Sequence, residues 1–240
     1  MENTSKFNSR RIVVSATISG FYLTLVGFGS VYLATIVKIP KLGFSLMFGL
    51  ALLSILILRT DLFTGSVMRV FSLVYTGKLT RKIAYSELVH SYLGNCVGAM
   101  LLVQLFILSK SYTVNMDRLI QNLINVKIGY TIPELIFKGV LCNICVCTAI
   151  LLYNRTKGFS QIFVTMAMIF IFVLLGFEHS IVNIGLFIYA VLHLHYVKWL
   201  LLYNLFFVTF GNILGGIIVA YIKIFLEKNI LLVVQQTQLK

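Results

Sequence analysis

The chain has 240 residues, 59% of them hydrophobic and 11% charged, and a mean hydropathy of +0.97, whereas soluble domains carry about 45–50% apolar and about 25% charged residues. Twenty Lys+Arg against seven acids give a formal charge of +13, yet the basic residues are scattered between long apolar runs, which argues against nucleic acid as a partner. At about 20 apolar residues per crossing, the length suits an integral membrane protein of six or seven helices with no room for a soluble catalytic domain.

A short N-terminus, 1–11, precedes an uncharged run from Ile12 to Val37. That run is too long for a signal h-region and has no small-residue cleavage site behind it, so the N-terminus is expected to stay. Further uncharged stretches cover 42–58, 88–109, 139–154, 158–177, 179–197 and 199–222. Two of them are interrupted: 42–58 stops at Arg59-Thr60-Asp61 and resumes as 62–77, and 158–177 is cut by Glu178-His179-Ser180. The pattern predicts an all-α protein of six transmembrane helices, the second and fifth broken. A barrel would need strands of about ten residues alternating in polarity, and nothing here alternates. The channel domain is predicted over 12–226, followed by a tail, 227–240, that offers no functional reading.

Assigning loops to alternate sides puts Lys6, Arg10, Arg11, Lys78, Arg81, Lys82, Arg155, Lys157, Lys223, Lys228 and Lys240 on one side and Lys38, Lys41, Lys110, Arg118, Lys127 and Lys198 on the other. The positive-inside rule makes the first side cytoplasmic and places both termini there. Arg59, Arg69 and Lys138 remain inside or at the edge of spans, where a charge is a functional hypothesis by default.

Gly94-Asn95-Cys96-Val97-Gly98 in the third span and Gly211-Asn212-Ile213-Leu214-Gly215 in the sixth share the pattern GNxxG. Small residues that let helices pack closely account for the glycines. The matching order of motif and break adds a 3+3 inverted repeat, about 12–109 and 131–226, with its site at the midplane where the broken helices meet. Unravelled backbone at that depth belongs along an aqueous path or in buried protein. Thr64 or Ser66 is predicted to cap the half-helix after the first break and Ser180 the one after the second, with His179 just before it. Each would aim a positive dipole end at the centre, which suits an anion.

DLFTG at 61–65, LGNCVGA at 93–99, FKGVLCN at 137–143 with ICVCTAI after it, GFEHSIVN at 176–183 and FVTFGNILGG at 207–216 resemble the signature segments of the formate/nitrite transporter family, in the family's order and over about 12–226. The resemblance implies a homopentamer of aquaporin-like six-helix protomers, each with its own pore for small monovalent anions or their weak acids: formate, nitrite or hydrosulfide. It puts the pore histidine at His179, the preceding glutamate at Glu178, the loop threonine at Thr64, the pore lysine at Lys127 and the pore asparagines at Asn143, Asn183 and Asn212. It builds apolar constrictions from Phe48, Leu52, Leu62, Phe63, Val146 and Phe172. It also implies a multi-pass protein of a bacterial-type plasma membrane, without cofactor or metal.

Three departures stand out. Only eleven residues precede the first span, where relatives usually have a longer amphipathic helix proposed to gate, so gating by that element is not expected, and the connection between the fifth and sixth helices is short. Arg59 stands where relatives tend to have glycine, and Arg69 lies in a half-helix that is usually uncharged. Either arginine is expected to add positive potential to the path or to pair with Asp61 or Glu178.

Bland alternatives exist for single residues. Lys127 follows a polar stretch and also reads as a solvated loop charge. His193 and His195 are two apart, share no helix face and read as interfacial. Cys142, Cys145 and Cys147 read as helix packing with no acid or histidine to complete a metal site, Cys96 likewise, and no disulfide is indicated. A membrane enzyme would need paired acids or a metal cluster, for which Glu178 with His179 is the sole candidate. A neutral-solute channel, for water or glycerol, would share the broken helices, but neither break contains Asn-Pro-Ala.

Overall fold

The computed structural model describes residues 8–37, 40–196 and 199–238, with side chains as far as Lys228 except that of Pro40; Lys6, Lys38, Lys198 and Lys240 of the charge assignment lie outside these. Among the described residues nine helices and no strand occur: α1 (Ser9–Ile36), α2 (Pro40–Leu58), α3 (Phe63–Tyr75), α4 (Arg81–Leu108), α5 (Val114–Ile128), α6 (Ile132–Arg155), α7 (Phe159–Leu174), α8 (Ser180–Leu192) and α9 (Trp199–Gln238). Five, namely α1, α2, α4, α6 and the stretch Trp199–Lys228 of α9, are long and apolar enough to cross a membrane. The shorter apolar helices α7 and α8 flank the second break, and α2 and α3 flank the first.

Two close helix pairs, α1 with α4 and α6 with α9, form the walls of the bundle. Both rest on the GNxxG glycines. A Cβ on Gly98 would collide with the Thr17 carbonyl of α1, and one on Gly215 with the Val140 carbonyl of α6, so only glycine lets these backbones touch. Side-chain packing holds the rest: Leu23, Phe48, Leu52, Val146 and Ile181 belong to one buried apolar cluster at the middle of the chain's fold.

The helix α5 was not among the predicted elements. Its sequence is nearly balanced between polar and apolar, and it buries only Met116, Ile120 and Ile124, one residue per turn, against a cluster that includes Phe28, Leu186 and Tyr189. Thr113 caps it, accepting from the Met116 amide at 3.2 Å. An uncharged-run reading passes over such a helix because Asp117, Arg118 and Lys127 interrupt the run. The tail residues from 227 continue α9 without a break.

Candidate functional site

The first break begins where α2 ends at Leu58 and Arg59 turns into the left-handed region, φ 54°. The chain is then pinned to α1: the Asp61 amide donates to Ser15 Oγ at 2.9 Å, and Ser19 Oγ donates to the Asp61 carbonyl at 2.6 Å. The N-cap of α3 is Leu62, which has no side chain able to cap, and not Thr64 or Ser66 as expected. The missing acceptor comes from another helix: the Phe63 amide donates to Asn95 Oδ1 at 2.9 Å, while Asn95 Nδ2 donates to the carbonyls of Ala16 and Asp61.

The second break repeats this arrangement. Gly176 takes the left-handed conformation, φ 70°, and the Glu178 amide donates to the Lys138 carbonyl at 3.2 Å. The Ser180 amide donates to Asn212 Oδ1 at 2.9 Å, while Asn212 Nδ2 donates to the carbonyls of Gly139 and Glu178 at 2.8 and 2.9 Å. The cap is His179 and Ser180 is the first helical residue, which corrects the expectation by one position. The physical reason is shared by both breaks: an asparagine on a neighbouring long helix satisfies a donor that a local Ser or Thr would otherwise have to satisfy.

The two half-helix N-termini meet through side chains. His179 Nε2 lies 3.1 Å from Thr64 Oγ1, with His179 3% exposed and Thr64 fully buried. The other ring nitrogen, Nδ1, faces the Val182 amide at 3.4 Å. A backbone N–H only donates, so Nδ1 accepts and the ring is the neutral Nε2–H tautomer, which donates to Thr64 Oγ1. Asn143 Nδ2 bridges the breaks, donating to the Thr64 carbonyl at 3.1 Å and the Asn212 carbonyl at 2.6 Å. The residues predicted for constrictions, Phe48, Leu52, Leu62, Phe63, Val146 and Phe172, all fall in one buried apolar cluster. The rings of Phe48 and Phe172 meet edge to face at 6.0 Å, and Phe172 stands 6.3 Å from the His179 ring.

A cavity of about 400 Å³ runs to His179 past Lys127, Tyr130, Phe48, Phe172, Glu178 and Asn183. Lys127 sits in the last turn of α5 and not in a solvated loop; its side chain is 13% exposed and Nζ is 2.8 Å from Glu178 Oε1. Glu178 Oε2 accepts from Asn183 Nδ2 at 2.7 Å; Asn183 Nδ2 also donates to Asn204 Oδ1, and Asn204 Nδ2 to the Lys127 carbonyl. Each polar group of this closed ring fixes the next, as a buried ion pair requires. Two buried atoms beside the second break, Ser180 Oγ and Asn183 Oδ1, have no hydrogen-bond partner among the described residues.

Thr64, Lys127, Asn143, Glu178, His179, Asn183 and Asn212 thus form one continuous network. Asn204 belongs to it and was missed; the signal, an amide in the apolar run 199–222 besides the Asn212 of the motif, was present. The arginines divide. Arg69 pairs with Asp61 at 3.7 Å and with Glu87, and Arg59 pairs with neither expected acid, since Glu178 is held by Lys127. Lys138 donates to the Gly176 carbonyl at 3.3 Å and lies 4.6 Å above the Tyr130 ring. His193 faces Asp117 at 3.5 Å, and the Cys147 thiol contacts the Thr64 carbonyl at 3.5 Å.

A model of the family described as formate/nitrite transporter matches residues 1–225. The chain belongs to the formate/nitrite transporter family. It is 30% identical over 212 residues to the nitrite transporter NirC of Escherichia coli strain K12, covering 85% of this chain and 78% of that protein. Among solved structures it matches an FNT family ion channel with a TM-score of 0.84 at 26% identity, over 92% of this chain and 91% of that one. A pentameric formate channel with formate bound shares the fold, with a TM-score of 0.80 at 20% identity, over 93% and 99%. The chain is therefore a membrane transport protein with the fold of this family, all-helical over its described residues.

Proposed function

We propose that the chain is a channel for small monovalent anions, formate, nitrite and hydrosulfide, and that it passes them as their neutral weak acids. The observation that carries this reading is the hydrogen bond between His179 and Thr64, 3.1 Å long, at the junction of two half-helix N-termini walled by buried phenylalanines. A bare ion moved into a medium of ε about 4 costs on the order of 20 kcal/mol by the idealised Born estimate, so an anion needs either compensation or a proton to cross that wall. Lys127 draws it into the cavity, the helix N-termini and the His179 Nε2–H favour it at the centre, and a proton reaching it from water or through His179 renders it neutral for the apolar rings. The nitrite transporter NirC and the formate-bound channel support the substrate class by similarity.

The same reading gives six crossings, with α2 plus α3 and α7 plus α8 each forming one, in a 3+3 inverted repeat. The paired asparagine caps support it: one sequence separation relates Arg59 to Gly176, Asp61 to Glu178 and Asn95 to Asn212. Residues 12–226 form the channel domain, both termini face the cytoplasm of a bacterial-type plasma membrane, and five copies assemble. The test is flux into proteoliposomes. Formate, nitrite and hydrosulfide enter, faster at lower pH, and sulfate does not; sulfate entering at a comparable rate, or glycerol entering while formate does not, overturns the proposal.

A further inference from the structure

A second site lies outside the pore path, where α1 begins and α2 ends. Arg10, Arg11 and Arg59 line one surface cavity of about 470 Å³ together with Asn8, Ser15 and Thr60. Among the described residues no carboxylate lies within 4.0 Å of any of the three guanidiniums, whereas Arg69, close by in sequence, has two. The rest of the lining is apolar: Val14, Ile18 and Leu58, which are 54%, 39% and 49% exposed. Residues 10, 14 and 18 are four apart and share one face of α1, so a basic end runs directly into an apolar strip. Arg59 holds its place in spite of a left-handed backbone, φ 54°, that the corresponding Gly176 adopts freely. A strained residue kept at a loop tip with no carboxylate against it among the described residues points to a ligand that uses the charge.

We propose that this cavity binds the phosphodiester headgroup of an anionic phospholipid, with one acyl chain along Val14, Ile18 and Leu58. The guanidinium fork suits phosphate oxygens, and the apolar strip distinguishes a lipid from free phosphate, which has nothing to lay there. The site touches the pore machinery through one bond, because Ser15 of its lining is the acceptor for the Asp61 amide at the first break. Only the leaflet, the inner one, rests on the orientation proposed above.

The experiment is native mass spectrometry of the purified assembly with vesicle-derived phosphatidylglycerol or phosphatidylcholine, in wild type, Arg59→Gln, Arg10→Gln and the control Lys82→Gln. Phosphatidylglycerol is retained preferentially by wild type and by the control, and each triad variant loses about fivefold in its affinity. Inorganic phosphate at millimolar concentration does not displace it. Equal retention of both lipids, equal loss in Lys82→Gln, or displacement by phosphate overturns the proposal. Should Arg59→Gln fail to assemble, Arg10→Gln carries the test. Formate flux measured in the same vesicles is a separate readout, so failure of transport does not count against the lipid site.

Discussion

At His179 the backbone leaves the imidazole no choice of tautomer. The Val182 amide occupies Nδ1 and Thr64 Oγ1 receives the proton on Nε2, so the ring donates across the junction of the two breaks while remaining neutral. His179→Asn keeps a donor of similar size and removes the titratable nitrogen. In flux assays with a proton-sensitive dye the variant is expected to assemble, to conduct, and to lose both proton co-movement and the rise in rate as pH falls. An unchanged pH profile would assign the proton to water. Arg59 gives a second test at this scale. A left-handed L-residue costs roughly 1–2 kcal/mol and glycine gives back roughly 0.5–1 of that as chain entropy, so Arg59→Gly is expected to stabilise the protein by about 0.5–1 kcal/mol in denaturant unfolding. Gly176→Arg is expected to lower stability by a similar amount.

Between elements, both half-helices are held by amides on their neighbours, which stand in for a local cap at α3 and add to the His179 cap at α8. Replacing Asn212 by Ala strands the Ser180 amide and the carbonyls of Gly139 and Glu178, each at about 1–3 kcal/mol when buried. A loss of at least about 3 kcal/mol in unfolding is expected, together with lost assembly, and Asn95→Ala is expected to match it. The sequence made the breaks legible because Asp61, Glu178 and His179 stand out against apolar runs, and the repeated motif marked where to look. It did not disclose that the motif asparagines do the capping, since a bond between Asn212 and Ser180, 32 residues apart on two successive helices, is a fact of how those helices pack. Glu87 was overlooked for a plainer reason: the uncharged run begins one residue later, so the acid that meets Arg69 fell into a loop by construction. For α5, the spacing of Met116, Ile120 and Ile124 was a usable signal that hydropathy alone does not weigh.

Over the whole molecule, each of the two breaks has its own ion-pair set. Lys127 with Glu178 closes the ring around one break, and Arg69 with Asp61 and Glu87 lies beside the other. Lys127→Met leaves the Glu178 carboxylate buried without its cation, a change that costs about 3–5 kcal/mol. Lys127→Met combined with Glu178→Gln is expected to recover most of that stability by thermal unfolding while anion uptake at low concentration stays weak, because the attracting charge is gone. Recovery of uptake in the double variant would show that the ion pair serves folding alone.

The seat of Lys127 also sets a timescale. It rides on α5, a helix of 15 residues whose apolar grip is three buried side chains, supplemented by polar contacts from Tyr189, Tyr196 and Asn204, while its partner Glu178 hangs from the long helices through Asn212. Short, weakly anchored helices open locally far more often than their protein unfolds, and each opening of α5 would lift the ammonium off Glu178 and widen the cavity mouth. Amide exchange over Val114–Ile128 is therefore expected to run faster than in α6 and to slow when formate is added, and the opening rate of that one helix would cap the rate at which anions enter.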